Sequence, residues 1–131
     1  MEKRSIQTGS VNLKTYRDVR NSGVMLVSPE TVGSKSIWMG VGFLASQEEV
    51  PSGSHDLEEA LYLVKGSGFV SVNGQKTRLK TGTAIYIPSN VEHSIKNTGK
   101  ANMIFVVSMA KSTEGDAESN NNDVCFDCGS V

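Results

Sequence analysis

Residues 53–97 read GSHDLEEALYLVKGSGFVSVNGQKTRLKTGTAIYIPSNVEHSIKN, and the punctuation of this stretch decides the fold. Ala60-Leu61-Tyr62-Leu63-Val64 is a short apolar run closed by Gly66-Ser67-Gly68. Phe69-Val70-Ser71-Val72 follows and meets Asn73-Gly74, the pair that a two-residue type I′ hairpin favours because both positions take positive φ. Lys76 to Leu79 is the return strand. Thr81-Gly82 then turns the chain into Ala84-Ile85-Tyr86-Ile87, which stops at Pro88-Ser89-Asn90, and Glu92 to Ile95 is a further short strand ended by Asn97-Thr98-Gly99.

The pattern continues on both sides. Val24-Met25-Leu26-Val27 lies between Ser22-Gly23 and Ser28-Pro29, and Ile37 to Leu44 is a longer strand whose glycines, Gly40 and Gly42, point to a bend or a close backbone approach. Pro51 and Gly53 break the pattern after it. Ile104-Phe105-Val106-Val107 is the last well-formed strand, and in the polar residues 1–22 only Val11, Leu13 and Val19 suggest a short edge strand. Short strands with Gly, Asn and Pro between them, and no convincing helix, predict an all-β sandwich or small barrel.

Composition sets the frame. The 131 residues, 37% apolar and 21% charged, suit one globular domain with a modest core. Residues 1–111 are expected to form it, with 112–131 as a disordered tail. The net charge is -1, but the tail holds five acids and no Lys or Arg, so the 13 basic groups and the other 9 acids leave +4 on residues 1–111. That charge is scattered, which argues against a nucleic-acid surface. No apolar segment suits a secretory leader or a membrane span, so the chain is read as cytoplasmic, with no membrane partner. Cys125 and Cys128 are the two cysteines; their spacing matches half a zinc site or a redox pair, but with no second pair they read as free thiols on the tail.

The chemistry-bearing residues cluster in the opening stretch. If the chain is extended from Gly53 through Leu63, then Gly53, His55, Glu59, Leu61 and Leu63 share one face while Ala60, Tyr62 and Val64 share the other. By the same count His93 and Asn97 share a face. Two imidazoles and a carboxylate can hold three positions of an octahedral ion and leave the others open. A lone His on a strand is more often a hydrogen-bonded structural residue, and Glu58-Glu59 alone reads as a solvated edge. Spacing by itself leaves both readings open.

The segment resembles the cupin superfamily, in the consensus Gly, five residues, His-x-His, three or four residues, Glu, six residues, Gly, followed later by Gly, five residues, Pro-x-Gly, two residues, His, three residues, Asn. His55 falls at the second His of the first motif, Glu59 follows after three residues and Gly66 after six more. Gly82, Pro88, His93 and Asn97 fit the second motif, with Asn90 at the position of its glycine; Asn also tolerates left-handed φ. Two departures stand out: Gly53 occupies the place of the first His, and Gln47 that of the opening Gly.

The resemblance implies an RmlC-like jelly roll, a double-stranded β-helix barrel, and a small-molecule ligand or substrate. It also implies a divalent metal ion, Fe, Mn, Ni or Zn, held by His55, Glu59 and His93. With the first His absent, a backbone carbonyl, Ser54, Asp56 or Gln47 could serve as a further ligand. The implied chemistry is that of an isomerase, epimerase, lyase or dioxygenase acting on a small oxygenated metabolite, with Tyr62, Tyr86, Glu58 or Glu48 as candidate proton carriers. The alternative is a non-catalytic binding or sensing module with a degenerate metal site. Gln47, Tyr62, Tyr86 and Asn97 are the further pocket candidates; packing is the plainer role for Tyr62, Tyr86 and Phe105, and Trp38 reads as a core or interface anchor. A homodimer is also implied, with residues 5–20 exchanged as a strand.

Overall fold

The computed structural model describes residues 22–112, together with Ser5. Nine strands run in chain order through them: β1 (Ser22–Val27), β2 (Ile37–Leu44), β3 (Glu49–Gly53), β4 (Leu57–Lys65), β5 (Ser67–Val72), β6 (Gln75–Lys80), β7 (Ala84–Ile87), β8 (His93–Asn97) and β9 (Met103–Lys111). They form an antiparallel five-stranded sheet in the order β1-β2-β9-β4-β7 and an antiparallel four-stranded sheet in the order β3-β8-β5-β6. Consecutive strands cross repeatedly from one sheet to the other, as in a jelly roll.

Strict alternation separates the faces. On β4, Glu59, Leu61 and Leu63 are buried while Ala60, Tyr62 and Val64 are exposed. Leu61 and Leu63 meet Leu44 of β2, Phe105 and Val107 of β9, Val70 of β5, Leu79 of β6 and Ile95 of β8 in one core. Gly42 belongs to this arrangement, because a Cβ there would collide with the Phe105 ring beside it.

The turns follow their sequence chemistry. Asn73 and Gly74 take φ of 51° and 80°, and Asn90 takes 65°, the left-handed geometry expected of an Asn standing where a glycine would serve. Three features differ from the expectations above. A four-residue helix, α1 (Pro29–Val32), follows β1, capped by Ser28, whose side chain accepts from the Thr31 N–H. The segment around Pro51 is a strand rather than a break: β3 is the edge of its sheet, where a residue without an N–H is tolerated. The last strand is longer than Ile104–Val107, with β9 running from Met103 to Lys111. The tail with Cys125 and Cys128, and the strand expected around Val11, Leu13 and Val19, lie outside the described residues. Among those described, no helix is long and apolar enough to cross a membrane.

Asn97 pins the end of the barrel remote from His93 on β8. It is fully buried; its Nδ2 donates to the Leu44 carbonyl at 2.8 Å and the Ala101 carbonyl at 3.0 Å, and its Oδ1 accepts from the Gly99 N–H at 2.8 Å. Removing the amide strands three backbone groups, so Asn97→Ala is expected to lower unfolding stability by about 2–4 kcal/mol in chemical denaturation. Its metal content should be unchanged, and an unchanged unfolding midpoint would contradict this role.

Candidate metal centre

Three elements deliver the candidate ligands. Glu59 points inward from β4, His93 opens β8 on the facing sheet, and His55 sits in the crossover between β3 and β4, next to the residues that start β4. The extended chain expected from Gly53 to Leu63 is therefore interrupted at residues 54–56, and His55 reaches the site from a loop.

The geometry is tight. Glu59 Oε1 lies 3.1 Å from His55 Nε2 and 3.5 Å from His93 Nε2. The two rings meet edge to face, with centroids 5.1 Å apart. One donor atom from each residue falls within a 4.8 Å span. Glu59 is only 7% exposed, so its carboxylate depends on these neighbours rather than on water.

The ring orientations are set by the backbone. His55 Nδ1 lies 3.0 Å from the Leu57 carbonyl, and His93 Nδ1 lies 2.9 Å from the Val91 carbonyl. A carbonyl only accepts, so each Nδ1 carries the proton and each Nε2 of a neutral ring turns a lone pair toward Glu59. Two lone pairs and a carboxylate oxygen facing one another require a cation between them. Either a proton or a metal ion meets that requirement, and backbone anchoring of the second nitrogen is the usual support of a ligating His. The residues thus fit a divalent ion. The Glu59 hydrogen bond raises the His93 pKa from its ordinary value, against the opposing effect of burial.

The other candidate residues stand elsewhere. Gln47 is exposed in the turn before β3, at φ 69°, with its N–H bonded to the Asn97 carbonyl. Tyr62 and Tyr86 are 49% and 54% exposed on the outer face of the five-stranded sheet. The Tyr86 hydroxyl donates to Glu58 Oε1 at 2.7 Å, and burial together with that carboxylate pushes its pKa up to about 12. Glu48 accepts the Ala45 N–H. None of these four carries a proton to the trio from where it stands, which corrects the expectation of a base among Tyr62, Tyr86, Glu58 and Glu48.

Other residues take their place at the mouth. Glu59 is in register with Ile87 of β7 and Met109 of β9, and Met109 with Trp38 of β2. These four therefore share the inward face in one row, and Leu57 and Lys111, paired with each other, stand two residues further toward the open end. Trp38, Leu57, Lys111, Asp56, Ser89 and Asn90 line a cleft of about 510 Å³ there. The Asn90 N–H also donates to the His55 carbonyl at 2.7 Å, tying the cleft rim to the ligand loop. Trp38 was legible only as an anchor, because its inward direction depends on the β2–β9 register.

Comparison with known proteins places this geometry in context. The family description "Cupin domain" matches residues 41–109. Tetracenomycin polyketide synthase protein TcmJ of Streptomyces glaucescens is 35% identical over 86 residues, covering 63% of this chain and 58% of that protein. Polyketide synthase CurC of Streptomyces cyaneus is 31% identical over 100 residues, covering 74% and 62%. The chain thus spans about three fifths of the length of the curated relatives it matches. Among solved structures, a predicted oxalate decarboxylase from Thermotoga maritima superposes with a TM-score of 0.72 at 21% identity, over 83% of this chain and all of that one. The polyketide cyclase RemF from Streptomyces resistomycificus gives 0.70 at 16%, over 84% and 80%. At these identities the structural likeness shows the fold.

In metal-stripped protein the raised His93 pKa has a sign that can be checked. The stabilisation from protonated His93 against Glu59 is fully present below the unfolded value of about 6.5 and is lost as pH rises through the higher folded value. The stability gap between wild type and Glu59→Gln should therefore be larger at pH 6 than at pH 8.5 in denaturant titrations. An equal gap at both would contradict the contact.

Proposed function

The chain belongs to the cupin domain family, and from that premise we propose that it is a metal-binding small-molecule cupin acting on a small oxygenated metabolite at a divalent ion held by His55, Glu59 and His93. The observation that carries the reading is the convergence of two backbone-anchored imidazole Nε2 atoms on a buried carboxylate. Such an ion, when bound, supplies a Lewis acid that polarises a carbonyl or stabilises an enolate.

The chain's own side chains would do the rest. Trp38 and Leu57 would offer an apolar wall of the cleft to a flat ligand, next to the row that holds Glu59 and Met109. Lys111 offers a positive charge to an anionic oxygen, and Asp56 is the carboxylate in the cleft that can take or return a proton. The relatives named as polyketide synthase proteins and a polyketide cyclase support a conjugated polycarbonyl or phenolic ligand. Isomerisation, elimination and dioxygenation are each compatible with this donor set. The competing reading, a binding or sensing module without turnover, is favoured by one observation, Gly53 in place of a fourth ligand.

The same reading includes a cytoplasmic homodimer. Ile37, Met39, Tyr62, Val64 and Tyr86 are exposed on one continuous outer face of the five-stranded sheet, an apolar surface that suits a second copy. Exchange of residues 5–20 between the copies remains part of this proposal.

Three outcomes test the proposal. Adding Mn²⁺, Fe²⁺, Ni²⁺ or Zn²⁺ at about 100 times Kd should stabilise stripped protein by about 2.7 kcal/mol and leave His93→Ala unmoved; equal effects on both would refute the site. Trp38→Ala should weaken a flat phenolic ligand about tenfold with metal affinity unchanged, in calorimetry. Val64→Lys should convert a dimer to a monomer by light scattering, and a wild-type monomer would remove the dimer from the account.

A further inference from the structure

Gly53 stands in register with His93 across the β3–β8 pair. Val50 pairs with Ile95 on the same two strands, so Pro51 and Ser52 together oppose Ser94 alone. This extra residue is a bulge, and it has a consequence for direction. Without it, residues 50 and 53 would face opposite sides; with it, position 53 keeps the face of its partner His93. The side-chain direction at 53 is therefore the direction of the metal-ligand set.

Nothing fills that direction. A Cβ built at Gly53 meets no atom within 4 Å, whereas one at Gly42 would strike the Phe105 ring and one at Gly68 the Lys96 carbonyl. Around the trio, Ile87 and Met109 flank Glu59 in register, and Val72 pairs with His93 from β5. Beside His93, on the β3 side of the trio, Gly53 therefore leaves open space.

We propose that Gly53 is the specificity-determining position of this centre, and that the space it leaves admits a chelating ligand with two adjacent oxygens, of the hydroxamate, α-keto acid or 1,3-dicarbonyl class, approaching from the β3 side. The inference rests on the metal reading given above. His55, Glu59 and His93 would hold such an ion through three donors, and a six-coordinate ion would then have positions left for both oxygens of a chelator. A side chain at 53 would take up the room the chelator needs, and an imidazole there would also take one of the positions.

The test uses Co²⁺ as a spectroscopic probe in the full chain and acetohydroxamate as the chelator. Wild type should bind Co²⁺ and then acetohydroxamate, each with its own change in the visible spectrum. Gly53→His should bind Co²⁺ about tenfold more tightly and acetohydroxamate at least about tenfold more weakly. Gly53→Leu, which fills the space with no donor atom, should keep the wild-type Co²⁺ affinity and lose acetohydroxamate to a similar degree. Circular dichroism checks that both variants fold, as expected of an exposed position with open space. If wild type and Gly53→Leu bind Co²⁺ and acetohydroxamate equally well, the inference is overturned while the metal centre stands. If wild type binds no Co²⁺, the metal centre itself is overturned and the inference with it.

Discussion

A carboxylate cannot be taken out of water without a partner, and Glu59 is almost entirely out of water. The arrangement around it answers this constraint. β4 must keep its alternation to bury Leu61 and Leu63 in the core, and the same alternation carries Glu59 inward two residues earlier. The facing sheet supplies His93 and the crossover loop supplies His55. Packing and chemistry thus share one strand: the layers of Leu61 and Leu63 belong to the apolar core, and Glu59 stands two residues nearer the cleft rim, beside Trp38, Ile87 and Met109.

The backbone limits what the polar layer can become. Both Nδ1 atoms are held by carbonyls two residues away, His55 by Leu57 and His93 by Val91, so neither ring can turn its other nitrogen inward without losing a hydrogen bond. The site is preorganised to accept a cation whether or not one is present. The far end of β8 is fixed by a different device, the satisfied amide of Asn97. The amide-pinned end and the polar trio therefore lie at opposite ends of β8.

Much of this was legible in the sequence, and for identifiable reasons. Asn73-Gly74, Gly82 and Asn90 announce turns because few residues take positive φ, and the alternation in Leu61-Tyr62-Leu63-Val64 separates two faces unaided. The motif spacing brought His55, Glu59 and His93 together as candidates, and the structure gathers those three. What escaped depends on pairing between distant strands. β3 carries Pro51 and looks like a break, and only its place at a sheet edge makes it a strand. Tyr62 lies on the face opposite Glu59 by its own alternation, yet an aromatic residue near a site invites a pocket role that the outer face does not allow. Trp38, Met109 and Lys111 reach the mouth through the β2–β9–β4 register, which no local pattern encodes. Asn97 carries a motif position for its hydrogen bonds at the barrel end, not for the pocket.

The most direct measurement is the metal content of the protein purified without added metal, determined beside a His55→Ala/His93→Ala double variant of equal folding. The account predicts a transition metal bound to the wild type, approaching one ion per chain, and its loss from the variant. The same content in both, or none in either with wild-type folding intact, would contradict the claim that the buried Glu59 and its two imidazoles form a metal centre.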